Sequence, residues 1–199
     1  MTQNFQSFAQ YAQASTAFLT QLQTPDWNER LQSAENLLCT ALEKGLPVLV
    51  CGNGGSAADA IHIAGELVGR FLVNRQPLNV IALNTDVAVL TAVGNDLGYE
   101  RIFSRQVGAY GKQGGVFWGL STSGNSPNVL AGAQAAKNLG MSVLAMTGDG
   151  GGQLAQYADV LINMPSNFTP LIQQGHQVAY HYLCAAIEKR VGSPEDQHA

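Results

Sequence analysis

The stretch PVLVCGNGGSAADAIHIAGELVGRF (residues 47–71) decides the fold. It opens with a short apolar run, Pro47 to Cys51, too short for a helix and rich in β-forming residues. Gly52-Asn53-Gly54-Gly55-Ser56 makes a turn, and a helical pattern follows from Ser56 to Phe71. The same unit recurs along the chain. GVFWGLS (115–121) leads through Thr122-Ser123-Gly124-Asn125-Ser126 into a helix from about Pro127 to Leu139, closed by Gly140. SVLAMTG (142–148) leads through a glycine loop into a short helix ending near Tyr157. LNVIAL (78–83) and ADVLINM (158–164) supply two more strands, and a last helix runs from about Pro170 to Arg190. Continuous apolar strands alternating with helices mean a parallel sheet covered on both faces. The expected fold is α/β, a three-layer, doubly wound sandwich around five parallel strands. In such sheets ligands sit outside the carboxyl ends of the strands, at a switch point.

Upstream, the first 45 residues hold no glycine before Gly45 and read as two helices. Phe5, Phe8, Tyr11, Phe18, Leu19 and Leu22 form one stripe, up to a break at Thr24-Pro25. Asp26 and Glu29 resemble a capping box for the next helix, which carries Leu31, Ala34, Leu37, Leu38 and Leu42. We divide the chain into this helical pair (1–45), an α/β core (46–192) and a solvated tail (193–199), all one domain of 199 residues.

Composition narrows the function. Only 12% of the residues are charged and the net charge is −4, so no basic surplus favours nucleic acid. No run approaches the roughly 20 apolar residues of a membrane span. The opening MTQNFQSFAQ lacks the basic and apolar regions of a signal peptide. Cys39, Cys51 and Cys184 lie in apolar stretches and read as buried thiols in a reducing compartment. A cytoplasmic protein with no nucleic-acid or membrane partner is expected. So few charges on a chain of this size suggest a subunit that covers part of its surface with copies of itself.

Three groups of residues could carry chemistry. The two glycine-serine loops each follow a strand and open a helix, where backbone N–H groups, hydroxyls and the helix N-terminus can cradle an anion. Tight turns alone would explain one such loop; two alike favour a small phosphate ester. His62 and Glu66, four apart, share one face of the helix behind the first loop. They either satisfy each other or serve a site. On the last helix, Gln173, Gln177 and His181 make a polar stripe, with His176 and Gln174 expected on a solvated face. If the two helices meet, His62, Glu66, Gln173 and His181 form a mixed nitrogen and oxygen set suited to zinc or a similar divalent ion. Asn84-Thr85-Asp86 and Asn95-Asp96 read as caps or turns, and His198 lies in the tail.

Taken together, CGNGGSAADAIHIAGELVGRF, AVGNDLGYERIFSRQV, LSTSGNS, MTGDGGG and IQQGHQVAYHYLCAAIE resemble the sugar isomerase (SIS) family, and within it the phosphoheptose isomerases. That resemblance covers nearly the whole chain. It implies the SIS fold, a homotetramer with active sites between subunits, and one zinc per subunit. It implies interconversion of sedoheptulose 7-phosphate and D-glycero-D-manno-heptose 7-phosphate, the first step toward ADP- or GDP-heptose for lipopolysaccharide core. By position it puts the metal on His62, Glu66, Gln173 and His181, and the acid–base pair on Glu66 and His181. The phosphorylated seven-carbon sugar falls to Asn53, Gly54, Gly55, Glu66, Asn95, Asp96, Ser121, Thr122, Ser123, Ser126 and Gln173. Two positions depart from the family pattern: Leu171 stands where arginine is common, and Gly65 where a second carboxylate is common. The rival is a related non-catalytic SIS tetramer that binds the replication initiator protein or senses phosphosugars. Such a relative lacks the helix glutamate and carries arginine in place of Ser123, so Glu66 and Ser123 side with the isomerase.

Overall fold

The computed structural model describes residues 5–192; the tail, with His198, lies outside the described residues. Two helices lead, α1 (Phe8–Thr20) and α2 (Pro25–Leu42). Ser7 caps α1 by accepting the Gln10 N–H. The expected capping box at Asp26 does not form. Thr24 is the N-cap residue, Pro25 takes the first turn where no N–H is needed, and Asp26 instead pairs with Arg30 one turn on.

The five strands fall where the apolar runs place them: β1 (Val48–Cys51), β2 (Val80–Ala82), β3 (Val116–Ser121), β4 (Ser142–Thr147) and β5 (Val160–Asn163). All pair in parallel, in the order β2-β1-β3-β4-β5. Between them run α3 (Gly55–Val68), α4 (Val87–Leu97), α5 (Ile102–Tyr110) and α6 (Pro127–Asn138), and α7 (Thr169–Val191) closes the chain. Asp86 caps α4 through the Val89 N–H. The short helix expected before Tyr157 is a 3₁₀ turn, Gln153–Gln156. Helix α5 has no counterpart in the sequence reading; at nine residues containing Arg105 and Gly108, its apolar stripe is short.

Alternation along the strands splits the core in two. Val48, Val50, Trp118, Leu120 and Met146 face α1, α2, α3 and α7, whereas Leu49, Cys51, Phe117, Val143 and Ala145 face α5 and α6. Each strand residue therefore meets a helix on whichever side it points, which is why the strands read as unbroken apolar runs. Cys39, Cys51 and Cys184 are buried free thiols. Burial pushes Cys39 up to about 11 and Cys184 to about 12, so both are inert small hydrophobes.

Candidate active site

The strand order reverses between β1 and β3, so the loops that follow these two strands border the switch-point crevice. They are the two glycine-serine loops. Asn53 and Asn128 join them: each side-chain N–H donates to the other's Oδ1 at 2.8 Å, and the Tyr99 hydroxyl donates to Asn53 Oδ1 at 3.1 Å. Neither Tyr99 nor Asn128 carries a local sequence signal for this role.

A third loop completes the cradle. The Gly148 N–H donates to the Thr122 carbonyl, Leu154 N–H to the Gly124 carbonyl, and Gln153 N–H to Asn125 Oδ1, all near 3.0 Å. Gly124 has φ +64°, and a Cβ there would fall on the Gly151 carbonyl, so close backbone approach requires glycine. The resulting cleft, about 540 Å³, is lined by Thr122, Ser123, Asn125, Asp149, Asn167 and Thr169 among others. Ser123 is exposed at the lip; its Oγ accepts the Asn125 N–H and lies 3.5 Å from the Ser121 hydroxyl. Ser121 is buried and bonded to the Ser126 hydroxyl at 2.9 Å. Asp149 and Asn167 were missed in the sequence, although the strand–glycine-loop pattern that flagged the first two loops also precedes Asp149.

The side-chain half of the site stands on α3 and α7, which lie side by side in the same direction. Gln173 rests on Gly55, Tyr180 on His62, and Glu188 on Phe71. His62 Nε2 is 2.9 Å from Glu66 Oε1, and the His62 and His181 rings lie 5.0 Å apart, edge to face. One ligand atom from each of His62, Glu66 and His181 falls within 4.8 Å of the others. Burial lowers the His181 pKa, His62 adds to this, and Glu66 opposes it. Behind the trio, the Tyr180 hydroxyl is 3.0 Å from His62 Nδ1 and 3.5 Å from Asp59 Oδ1. Burial pushes Asp59 up to about 6, against its Tyr180 bond and His62.

This arrangement fits a divalent metal ion. Two imidazoles and a carboxylate are a nitrogen and oxygen donor set for zinc or its neighbours. A proton on His62 Nδ1, donated to the Tyr180 oxygen while Tyr180 donates to Asp59, leaves the Nε2 lone pair for the ion, the outer support that metal-bound histidines use. Gln173 stands apart from the trio within this chain. Its amide lies over Gly55, seven residues before His62, or roughly 10 Å along the helix. Asn95 and Asp96 are exposed on the last turn of α4, where Asn95 donates to Asp96. The solvated position expected for His176 is wrong. His176 is fully buried, and its Nε2–H donates to the Thr147 carbonyl at 3.0 Å, because α7 packs against α1, α2 and α3 and shares the core on that face of the sheet.

Comparison with known proteins agrees with this architecture. The SIS domain family model matches residues 10–148, and the chain belongs to that family. A phosphoheptose isomerase of Rhodospirillum rubrum is 51% identical over 158 residues, 79% of this chain and 84% of the relative. One from Burkholderia pseudomallei is 48% identical over 161 residues, 81% of this chain and 82% of the relative. Among solved structures, the phosphoheptose isomerase of Neisseria gonorrhoeae aligns with a TM-score of 0.84 at 40% identity, covering 90% of this chain and 96% of that one. That of Francisella tularensis gives 0.86 at 35%, covering 91% and 96%. Within the SIS family the chain is thus one of the phosphoheptose isomerases, a sugar-phosphate isomerase.

Proposed function

We propose that this isomerase interconverts sedoheptulose 7-phosphate and D-glycero-D-manno-heptose 7-phosphate. The observation that carries the reading is the carboxylate of Glu66 held beside the imidazole of His181, within 4.8 Å, on two packed helices. Moving the carbonyl from C2 to C1 needs a proton taken from C1 and one delivered to C2, with the hydroxyl proton passing from O1 to O2. Glu66 takes the carbon proton as base, and His181 serves the oxygens across the resulting enediol. The 121–126 and 148–152 loops hold the phosphate through Ser123, Thr122 and backbone N–H groups, with Ser121, Ser126, Asn53, Gly54 and Gly55 shaping the cradle. Asn95, Asp96 and Gln173 complete the sugar site across an interface between copies of the chain.

His62, Glu66 and His181 would hold one zinc ion per subunit, with Gln173 of a neighbouring copy as the fourth ligand. Bound there, zinc would steady the negative charge that develops on the sugar oxygens. A homotetramer of single SIS domains with active sites between subunits accounts for the exposed Ile61, Val68, Leu72, Val73, Val178 and Tyr182. No described helix is long and apolar enough to cross a membrane, in keeping with cytoplasmic synthesis of a heptose precursor for lipopolysaccharide. Incubating the purified protein with sedoheptulose 7-phosphate and following aldose formation by NMR tests the reading; no aldose would overturn it. Elemental analysis should find one zinc per chain, and full activity after chelation would remove the metal from the reaction.

A further inference from the structure

Where the chain leaves α3 at Gly69, it passes through a cluster of buried charge against the C-terminal half of α7. Glu188, 3% exposed, accepts three successive backbone N–H groups: Phe71 at 3.0 Å, Leu72 at 2.7 Å and Val73 at 3.1 Å. Arg75, whose side chain is fully buried, places Nε 3.2 Å from Glu188 Oε1, a charge contact rather than an aligned hydrogen bond. Its Nη2 donates to the Glu66 carbonyl at 2.7 Å, and its Nη1 to the Gln76 carbonyl at 3.0 Å. The guanidinium thereby serves a carbonyl of the last turn of α3, one of the acceptors a helix end leaves open. Those backbone bonds and the adjacent cation hold the Glu188 carboxyl below its ordinary range, although burial acts the other way.

Removing two charges from water is unfavourable, and an apolar pair would often hold a turn as well. The use of charge here is explained by where the cluster ends. Segment 71–73, fixed through its N–H groups by Glu188, begins with Phe71, whose ring is stacked on the His181 imidazole at 5.6 Å and 23°. The His62 ring also approaches this imidazole, at 5.0 Å and nearly perpendicular at 78°, as does the neighbouring Tyr180 ring at 4.8 Å and 77°. His181 therefore contacts both a ring that Glu188 positions and a ring that belongs to the site. Glu188 lies seven residues past His181, two turns along the same helix face. The histidine and the anchor of its stacking partner thus share one rigid element. The other end of the cluster, through Arg75, holds the turn that carries Glu66.

We propose that Phe71, Arg75 and Glu188 are positioning residues of this isomerase, which fix the orientation of the His181 imidazole relative to His62 and Glu66. The proposal rests on the reading of Glu66 and His181 as the acid–base pair. Phe71→Leu removes the stacked ring and leaves the backbone N–H bonds in place, so the fold should survive. Its kcat on sedoheptulose 7-phosphate should fall roughly ten- to hundredfold, the scale expected when a reacting group is misplaced by about 1 Å, with KM within twofold. Phe71→Trp, which restores an aromatic face, should recover most of the loss. Glu188→Gln should show the same kcat loss at temperatures where circular dichroism reports it folded. In a crystal structure of Phe71→Leu the His181 ring should leave its place against His62. Wild-type kcat in Phe71→Leu, or a His181 ring unmoved in that crystal, overturns the proposal. Should the wild-type protein fail to isomerise the heptulose, the functional reading has failed, and the crystal structure still decides the orientation of His181.

Discussion

His62, Glu66 and His181 converge as side chains carried on α3 and α7, two regular helices packed in parallel. The 121–126 and 148–152 loops, by contrast, present mainly backbone, zipped together by N–H to carbonyl bonds and by glycines at positive φ. Helices hold side chains in fixed rotamers over a rigid frame, which suits proton transfer between exact positions. Loops at strand ends offer several N–H groups at once, which suits a diffuse anion such as phosphate. The proposed function assigns the two tasks separately: the chemical step to the helix region and binding to the loop region. Substitutions can break that division.

Glu66→Gln should have the largest effect. It keeps the size and polarity of the side chain but cannot accept a carbon proton, so kcat should fall by about 10²–10⁴ with KM little changed. His181→Gln should behave alike, and the double variant should lose no more than slightly beyond either single one, because both groups serve one transition state. Steady-state kinetics of the three proteins would check this. A large rise in KM in Glu66→Gln would mean that the helix region also binds, and the division would not hold.

The two regions were not equally legible in the sequence. The strands β1, β3 and β4 announced themselves because burial on both faces leaves no polar alternation to mistake, and the half-buried edge strands β2 and β5 still read as apolar runs. His62 and Glu66 showed their shared face by spacing, and the glycine loops by their place after a strand. Their convergence with His181 was not legible from spacing and came only through the family resemblance, since it depends on α7 packing on α3 more than a hundred residues away. The face of α7 was equally hidden. A helix covered on two sides has little amphipathic contrast, and so His176 was expected in water and is buried instead. Gln173 shared the stripe with His181, yet two turns of helix separate it from the trio within this chain.

His176 is the joint between the two regions: it stands on α7 and donates to Thr147, the last residue of β4 before the third loop. Burial lowers its pKa from the ordinary 6.5 to about 4. Because the unfolded chain takes the proton first, this group costs stability as pH falls from 6.5 to 4, and nothing above that window. The full effect is roughly 3 kcal/mol, about 300-fold in the folding equilibrium. Asp59, raised to about 6, works in the opposite direction over much of the same window, since its folded form holds a proton that the unfolded form has lost. The measurement is therefore a difference. Denaturant unfolding of wild type and His176→Gln should show stabilities that diverge in slope between pH 4 and 6.5 and run parallel above pH 7. Parallel curves throughout would mean that the joint does not titrate.

Ser123→Ala tests the loop region, with the smallest expected effect of the three. The hydroxyl is exposed at the lip of the cleft and already accepts the Asn125 N–H, so the serine contributes one donor and a fixed loop shape. Alanine removes that donor. A hydrogen bond to a charged group is worth about 1.5–3 kcal/mol, which corresponds to a KM raised about ten- to hundredfold. The lower end is favoured by the remaining backbone donors and by the Ser121–Ser126 pair, which stays behind the cradle. Because phosphate is held equally before and during proton transfer, kcat should change by no more than about threefold. A parallel titration with inorganic phosphate as competitive inhibitor should show the same weakening as KM. If instead kcat falls and KM and phosphate affinity stay put, the loop takes part in the chemical step. Binding and catalysis would then share residues across the cleft, and the contrast between helix-borne and loop-borne halves would have to be redrawn around the reacting carbons.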